Sequence, residues 1–172
     1  MGQRFMTLVN GVRKLVEAAT SSAGVADAGK IIALDSTGKL DGSLMPNGIG
    51  ANTTLAPASE ALGAGKFVQF HDATGVFSVR LADSGNGRAA DGYVTAAVAS
   101  GAQATVYPLD GTNSVLTGLT LGARYYLGTA GGVVATALDE TDPANASKVS
   151  QYLGVAKSAT ELVTDDAGYV VL

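Results

Sequence analysis

Lys66-Phe67-Val68-Gln69-Phe70-His71-Asp72-Ala73-Thr74-Gly75-Val76-Phe77-Ser78-Val79-Arg80-Leu81-Ala82 carries the pattern on which the fold turns. Two β-prone runs, 66–71 and 76–82, flank Asp72-Ala73-Thr74-Gly75, whose Asp and Gly suit a tight turn. Successive side chains of a strand point to opposite sides, so the second run places Phe77, Val79 and Leu81 on one face. The stretch reads as an antiparallel hairpin with one side turned to a core.

The same grammar continues toward the C-terminus. Short β-like runs at 93–98, 103–109, 123–128, 133–136, 152–158, 161–164 and 169–172 are separated by Gly, Asn and Asp. That spacing predicts a mainly β body, a small β-barrel or a jelly-roll-like β-sandwich. Tyr125 and Tyr126 are adjacent, so one faces the core and the other faces outward or into a subunit contact. Residues 139–148, polar and carrying Pro143, read as an exposed loop.

Toward the N-terminus the pattern is lost. Between residues 42 and 58, Pro46, Gly48, Gly50, Asn52 and Pro57 interrupt both helix and strand, which predicts an extended arm. The chain thus divides into an attachment region, 1–58, and a β-rich globular body, 59–172. Residues 30–34 read as a short strand, and Asp35 and Gly38 bracket a turn. Phe5, Leu8, Val12, Leu15 and Ala19 recur at three- and four-residue steps, predicting an amphipathic helix over 4–19. Gly11 costs such a helix about 1 kcal/mol, so it must gain stability by packing, either on the end of its own body or on a partner.

Composition narrows the chemistry. The 172 residues hold 11 Lys and Arg against 15 Asp and Glu, a net charge of -4, which removes the broad cationic face that nucleic acid or an anionic membrane requires. No run reaches the roughly 18–20 apolar residues of a spanning helix. Asn10, Arg13, Lys14 and Glu17 interrupt any signal-peptide core, so synthesis in the cytoplasm is expected. With no Cys, thiol catalysis and Cys-ligated zinc are excluded. Charged residues are only 15% of the chain, which weakens repulsion between copies and suits life against other protein surfaces.

Motifs with catalytic or ligand-binding potential reduce to structural readings. His71 is the single imidazole, and no cue supplies it with a nucleophile or co-ligands. Gly85-Asn86-Gly87-Arg88-Ala89-Ala90 fits a relaxed dinucleotide pattern, but no helix follows to back its amides. Asp139, Glu140 and Asp142 are the densest acids, yet Ala144 and Ser150 stand where a calcium loop needs Gly and Glu. With no Trp and few aromatics the chain lacks the platforms of a glycosidase groove. No catalytic residue, metal ligand or cofactor is assigned, and the chain is not expected to be an enzyme.

Two stretches carry a resemblance. Ala28-Gly29-Lys30-Ile31-Ile32-Ala33-Leu34-Asp35-Ser36-Thr37-Gly38-Lys39-Leu40-Asp41, with Leu44-Met45-Pro46-Asn47-Gly48-Ile49-Gly50, is similar to a segment near the N-termini of tailed-bacteriophage head-fibre, decoration and tail-fibre proteins. Leu116-Thr117-Gly118-Leu119-Thr120-Leu121-Gly122-Ala123-Arg124-Tyr125-Tyr126-Leu127-Gly128, with the stretch 152–162, resembles the β-rich virion-surface module of the same proteins. The resemblance implies a capsid decoration, or cement, protein of head-fibre type on the outer capsid surface. Its partners would be the major capsid protein and, as for many relatives, two further copies in a homotrimer. Phe5, Leu8, Val12 and Leu15 are the expected helix contacts, and Ile31, Ile32, Leu34, Leu40, Leu44, Met45 and Ile49 the expected arm anchors. The alternatives are a tail-fibre or baseplate-associated protein for host attachment and, more distantly, a small carbohydrate-active or ligand-binding β-module.

Overall fold

A computed structural model describes residues 4–22, 24–36, 38–45 and 52–172. The chain divides into two compact units, Met1–Ala51 and Asn52–Leu172.

In the first unit the expected amphipathic helix is replaced by a β-hairpin. Strand β1 (Arg4–Val9) pairs antiparallel with β2 (Val12–Glu17), from Arg4 opposite Glu17 to Val9 opposite Val12. The cause is the connecting dipeptide. Asn10 and Gly11 adopt φ of 51° and 77°, the left-handed pair of a two-residue turn whose twist matches the flanking strands. The three- and four-residue spacing of Phe5, Leu8, Val12 and Leu15 does not gather them on one side of the hairpin. The strands split the set: Leu8 and Leu15 lie on one face with Met6, while Phe5 and Val12 lie on the other.

The rest of this unit is irregular. Short 3-10 turns occur at Val25–Asp27 and Gly42–Leu44. The strand expected at 30–34 is reduced to one parallel bridge, Ala19 to Ile32, because only Ala19 offers it partners. There the Ala19 amide donates to the Ile31 carbonyl at 2.9 Å and the Ala33 amide to the Ala19 carbonyl at 2.9 Å. The turn expected at Asp35 and Gly38 is present, closed by the Gly38 amide on the Asp35 carbonyl at 3.1 Å.

The body is mainly β. Its strands are β3 (Thr54–Pro57), β4 (Phe67–Ala73), β5 (Val76–Leu81), β6 (Gly92–Tyr93), β7 (Gln103–Val106), β8 (Thr112–Asn113), β9 (Arg124–Leu127), β10 (Val133–Val134), β11 (Val149–Ala156), β12 (Leu162–Thr164) and β13 (Tyr169–Val171). Their sheets run β5-β4-β6, β3-β7 and β10-β9-β11-β12-β8, with β13 pairing β11. The arm expected to reach Ala58 is shorter, since Thr54–Pro57 pairs with Gln103–Val106. Pro57 is tolerated because it closes a strand on the edge of its pair.

Side-chain alternation explains the layering. On β4, Phe67 and Val68 point opposite ways and are both fully buried, Phe67 in one core and Val68 in another. Tyr93 and Val94, at and just after β6, divide the same way. The β5-β4-β6 sheet is therefore a middle layer. On one side Tyr125, Leu127, Leu153 and Leu162 of the large sheet cover Phe67, and on the other Ala56, Ala104 and Val106 cover Val68 and Val79. Single bridges, Ala58 to Val79 and Tyr93 to Tyr107, tie the two smaller sheets together without closing a barrel. Of the two expected architectures, the sandwich describes the body.

β11 crosses the large sheet with a bulge. The register shifts between Tyr152 and Gly154, opposite β9, leaving Leu153 as the extra residue and driving it fully into the core. Gly154 takes φ of 147°, and a Cβ there would overlap the Val163 carbonyl, so only glycine fits.

Candidate attachment surface

The expected attachment residues cluster in the first unit, and most face solvent. Leu8 is 68% exposed and Leu15 61%, with Val12, Ile31, Ile32, Leu34, Leu40 and Met45 also exposed. Phe5 and Leu44 are half-buried, and Ile49 lies outside the described residues. Met6, which the helical reading overlooked, is as exposed as Leu8 and shares its face, and Val25 is exposed too. A two-residue strand period applied to residues 4–9 would have placed Met6 beside Leu8.

This surface exists because the unit has almost no interior. Among its described residues, only Ala19 and Ala33 are buried. Polar contacts supply its local order instead. The Ser22 amide donates to Ser43 Oγ at 2.8 Å, joining the segment after the hairpin to the Gly42–Leu44 turn. Asp41 accepts from Ser43 Oγ at 2.5 Å and from the Ser43 amide at 2.9 Å, and these bonds hold its carboxyl below the usual carboxylate range. Lys30 Nζ lies 2.6 Å from Asp27 Oδ1. Such bonds fix loops but bury little apolar area, so Leu and Ile side chains remain exposed.

Charge distinguishes the two units. The hairpin carries Arg4, Arg13 and Lys14 against Glu17, a net of +2, whereas from Asn52 onward six Lys and Arg face eleven Asp and Glu. The acidic character of the whole chain thus resides in the body.

The body's polar groups are engaged in structure. His71 Nε2 lies 2.8 Å from Ser59 Oγ, a partner no sequence cue supplied, and His71 Nδ1 lies 3.1 Å from the Asp72 carbonyl. That carbonyl can only accept, so Nδ1 donates to it, and Ser59 Oγ also donates to the Val79 carbonyl at 3.3 Å. The Ser59 amide is given to the Val79 carbonyl at 2.9 Å, so the pair anchors the chain after β3 to β4 and β5. In the glycine-rich stretch, Asp83 takes the Gly85 amide at 2.8 Å and the Ala130 amide at 3.0 Å, making a loop clamp where a phosphate cradle needs a free amide. Asp139 accepts from Thr141 and Asp142 from the Ala144 amide, the capping chemistry of a surface turn.

Tyr125 and Tyr126 separate as expected. Tyr125 is buried, its hydroxyl accepting the Thr120 amide at 2.9 Å. Tyr126 faces outward, with its ring edge-on to Tyr152 at 5.8 Å, and Arg124 lies 5.9 Å from the Tyr152 ring centre.

Neither a family model nor a curated protein matches the sequence. A solved structure to which the chain is similar is the N base of the head fiber gp8.5 of bacteriophage phi29, with 20% identity over 66% of this chain and 92% of that one and a TM-score of 0.48.

Proposed function

We propose that this chain is a capsid decoration protein of a tailed bacteriophage. Its first unit seats on the major capsid protein at the outer surface of the head, and its body projects from that surface. The observation that carries this reading is a unit whose described residues bury only two alanines and present an array of exposed Leu, Ile, Val and Met side chains. A side chain already half-exposed gains about 1 kcal/mol when a neighbour covers the remainder. Several of them covered together outweigh the freedom lost on docking only if the contact spans a broad surface. A capsid lattice offers such a surface, and contacts that bridge neighbouring subunits stabilise the assembled shell alone, by mass action. The sequence resemblance at 28–41, 44–50, 116–128 and 152–162 supports the same reading. Assembly as a homotrimer would multiply modest individual affinities through effective concentration. The role is adhesive and requires no catalytic step.

Cosedimentation with purified heads that lack the chain tests this. The full chain is expected to pellet with heads, and deletion of residues 1–28 to abolish or sharply weaken pelleting. Undiminished binding by the truncated chain would remove the attachment role from the hairpin. Cryo-EM of virions is expected to place the chain on the head, and density confined to the tail would favour the fibre reading.

A further inference from the structure

We propose that the first unit docks by strand addition, with the free edge of β1 pairing to an acid-flanked strand of the capsid-lattice protein; this rests on the decoration reading above. In a two-residue hairpin the pair flanking the turn, here Val9 and Val12, exchanges hydrogen bonds, and every second pair repeats the exchange. Phe5, Thr7 and Val9 therefore bond inward to β2. The amides and carbonyls of Met6 and Leu8 point away from it, and among the described residues β1 pairs with β2 alone. Those two residues also carry exposed apolar side chains, so β1 presents an unblocked, greasy edge of the kind that soluble proteins normally cover.

The two edges of the hairpin differ. β2 carries Arg13, Lys14 and Glu17 over six residues, the charges that discourage pairing, whereas β1 carries only Arg4. The pairing edge is therefore β1, and the cations of β2 lie across the hairpin from it. A net of +2 within fourteen residues selects the partner's chemistry. A second copy of the hairpin would bring like charges together, while an acidic rim beside the receiving strand neutralises them. Both hairpin faces hold apolar side chains, Met6, Leu8 and Leu15 on one and Val12 on the other, which suits a strand received between two protein surfaces.

The experiment uses the full chain and heads lacking it. Met6→Pro removes an outward amide and leaves the inward bonds in place, and Met6→Thr removes the apolar side chain but keeps the amide. Loss of paired backbone bonds predicts binding at least about tenfold weaker for M6P than for M6T. Equal binding by the two overturns strand addition. Hydrogen exchange read by mass spectrometry guards against misfolding of the Pro variant: in the unaltered chain, peptides covering 4–9 are expected to gain slow amides when heads are bound. Bound chain with no such gain also overturns it. Joint Arg13→Glu and Lys14→Glu substitution is expected to weaken binding about tenfold or more at low salt, and unchanged binding overturns the acidic rim. Concentration-dependent protection of 4–9 in the free chain would assign the edge to a sister copy and overturn the proposal. Failure of the unaltered chain to bind heads at all strikes instead at the decoration reading.

Discussion

Gln151, on the large sheet, uses its side chain as if it were a short piece of strand. Its Oε1 accepts the Ala90 amide at 2.7 Å and its Nε2 donates to the Ala90 carbonyl at 2.9 Å, all of it buried. Gln151→Met keeps the volume and strands both backbone groups, so we expect a loss of about 2–4 kcal/mol in urea unfolding of the chain. A loss under 0.5 kcal/mol would show that the bonds contribute nothing net. Gly154→Ala places a methyl into the Val163 carbonyl at a φ that disfavours L-residues, and the expected loss is about 3 kcal/mol or more. Asp91 behaves oppositely. Partial burial, helped by Asp166, raises its pKa even though the Phe70 amide hydrogen-bonds it at 2.8 Å. The folded chain then holds that proton more tightly than the unfolded chain, so stability falls as pH rises from the ordinary carboxylate value through the raised one. Asp91→Asn keeps an acceptor for Phe70 and is expected to stabilise the chain at pH 7 by about 0.5 kcal/mol or less, solvent screening keeping the effect small. The gain should vanish at pH 3, which thermal melts at the two pH values would show. At this scale Tyr125 and Tyr126 were legible, because alternation is a local rule. The Gln151 clamp joins residues sixty-one positions apart, and no local rule reaches that far.

Two hairpins in this chain share one turn chemistry, and only one was readable as such. Thr74 and Gly75 adopt φ of 54° and 86° between β4 and β5, just as Asn10 and Gly11 do between β1 and β2. In the first case alternation in 76–81 was plain. In the second, Phe5, Leu8, Val12 and Leu15 stand at helical steps in the sequence although the strands place them on two faces. Asn-Gly between β-rich runs is the stronger local signal, since it specifies left-handed backbone at both positions, whereas a four-residue stripe fits either period. Strand β3 was hidden for a similar reason: Pro57 weighs against a strand except at an edge, and edge status depends on its partner β7. β8, two residues long, depends wholly on β12. Gly11→Val puts a β-branched residue at φ of 77° and should raise the energy of the hairpin by about 1–2 kcal/mol. The expected outcome is faster hydrogen exchange across residues 4–17 with body peptides unchanged. Unaltered exchange in 4–17 would mean that contacts beyond the turn hold the strands together.

At the scale of the whole molecule, the two units differ in how much they bury. The body encloses two cores, with Phe67, Leu127, Leu153 and Leu162 fully buried in one and Val68, Val79, Val94 and Val106 in the other. A chain segment of this length with its own interior meets the usual requirement for independent folding. The first unit does not, since a two-stranded hairpin is marginal in water and its described residues bury only two alanines. On the proposed reading, the first unit keeps an apolar surface for its partner, and the body's cooperative transition is expected to be independent of it. A fragment spanning residues 52–172 is therefore expected to unfold in a single calorimetric transition within about 3 °C of the main transition of the full chain, a shift corresponding to less than roughly 1 kcal/mol. The complementary fragment, residues 1–51, should show no cooperative heat absorption until it is mixed with its binding surface, where coupled ordering adds a transition. A body fragment that melts 10 °C or more below the full chain would show that the apolar residues of the first unit serve the fold of their own molecule, and the attachment reading would lose its physical basis.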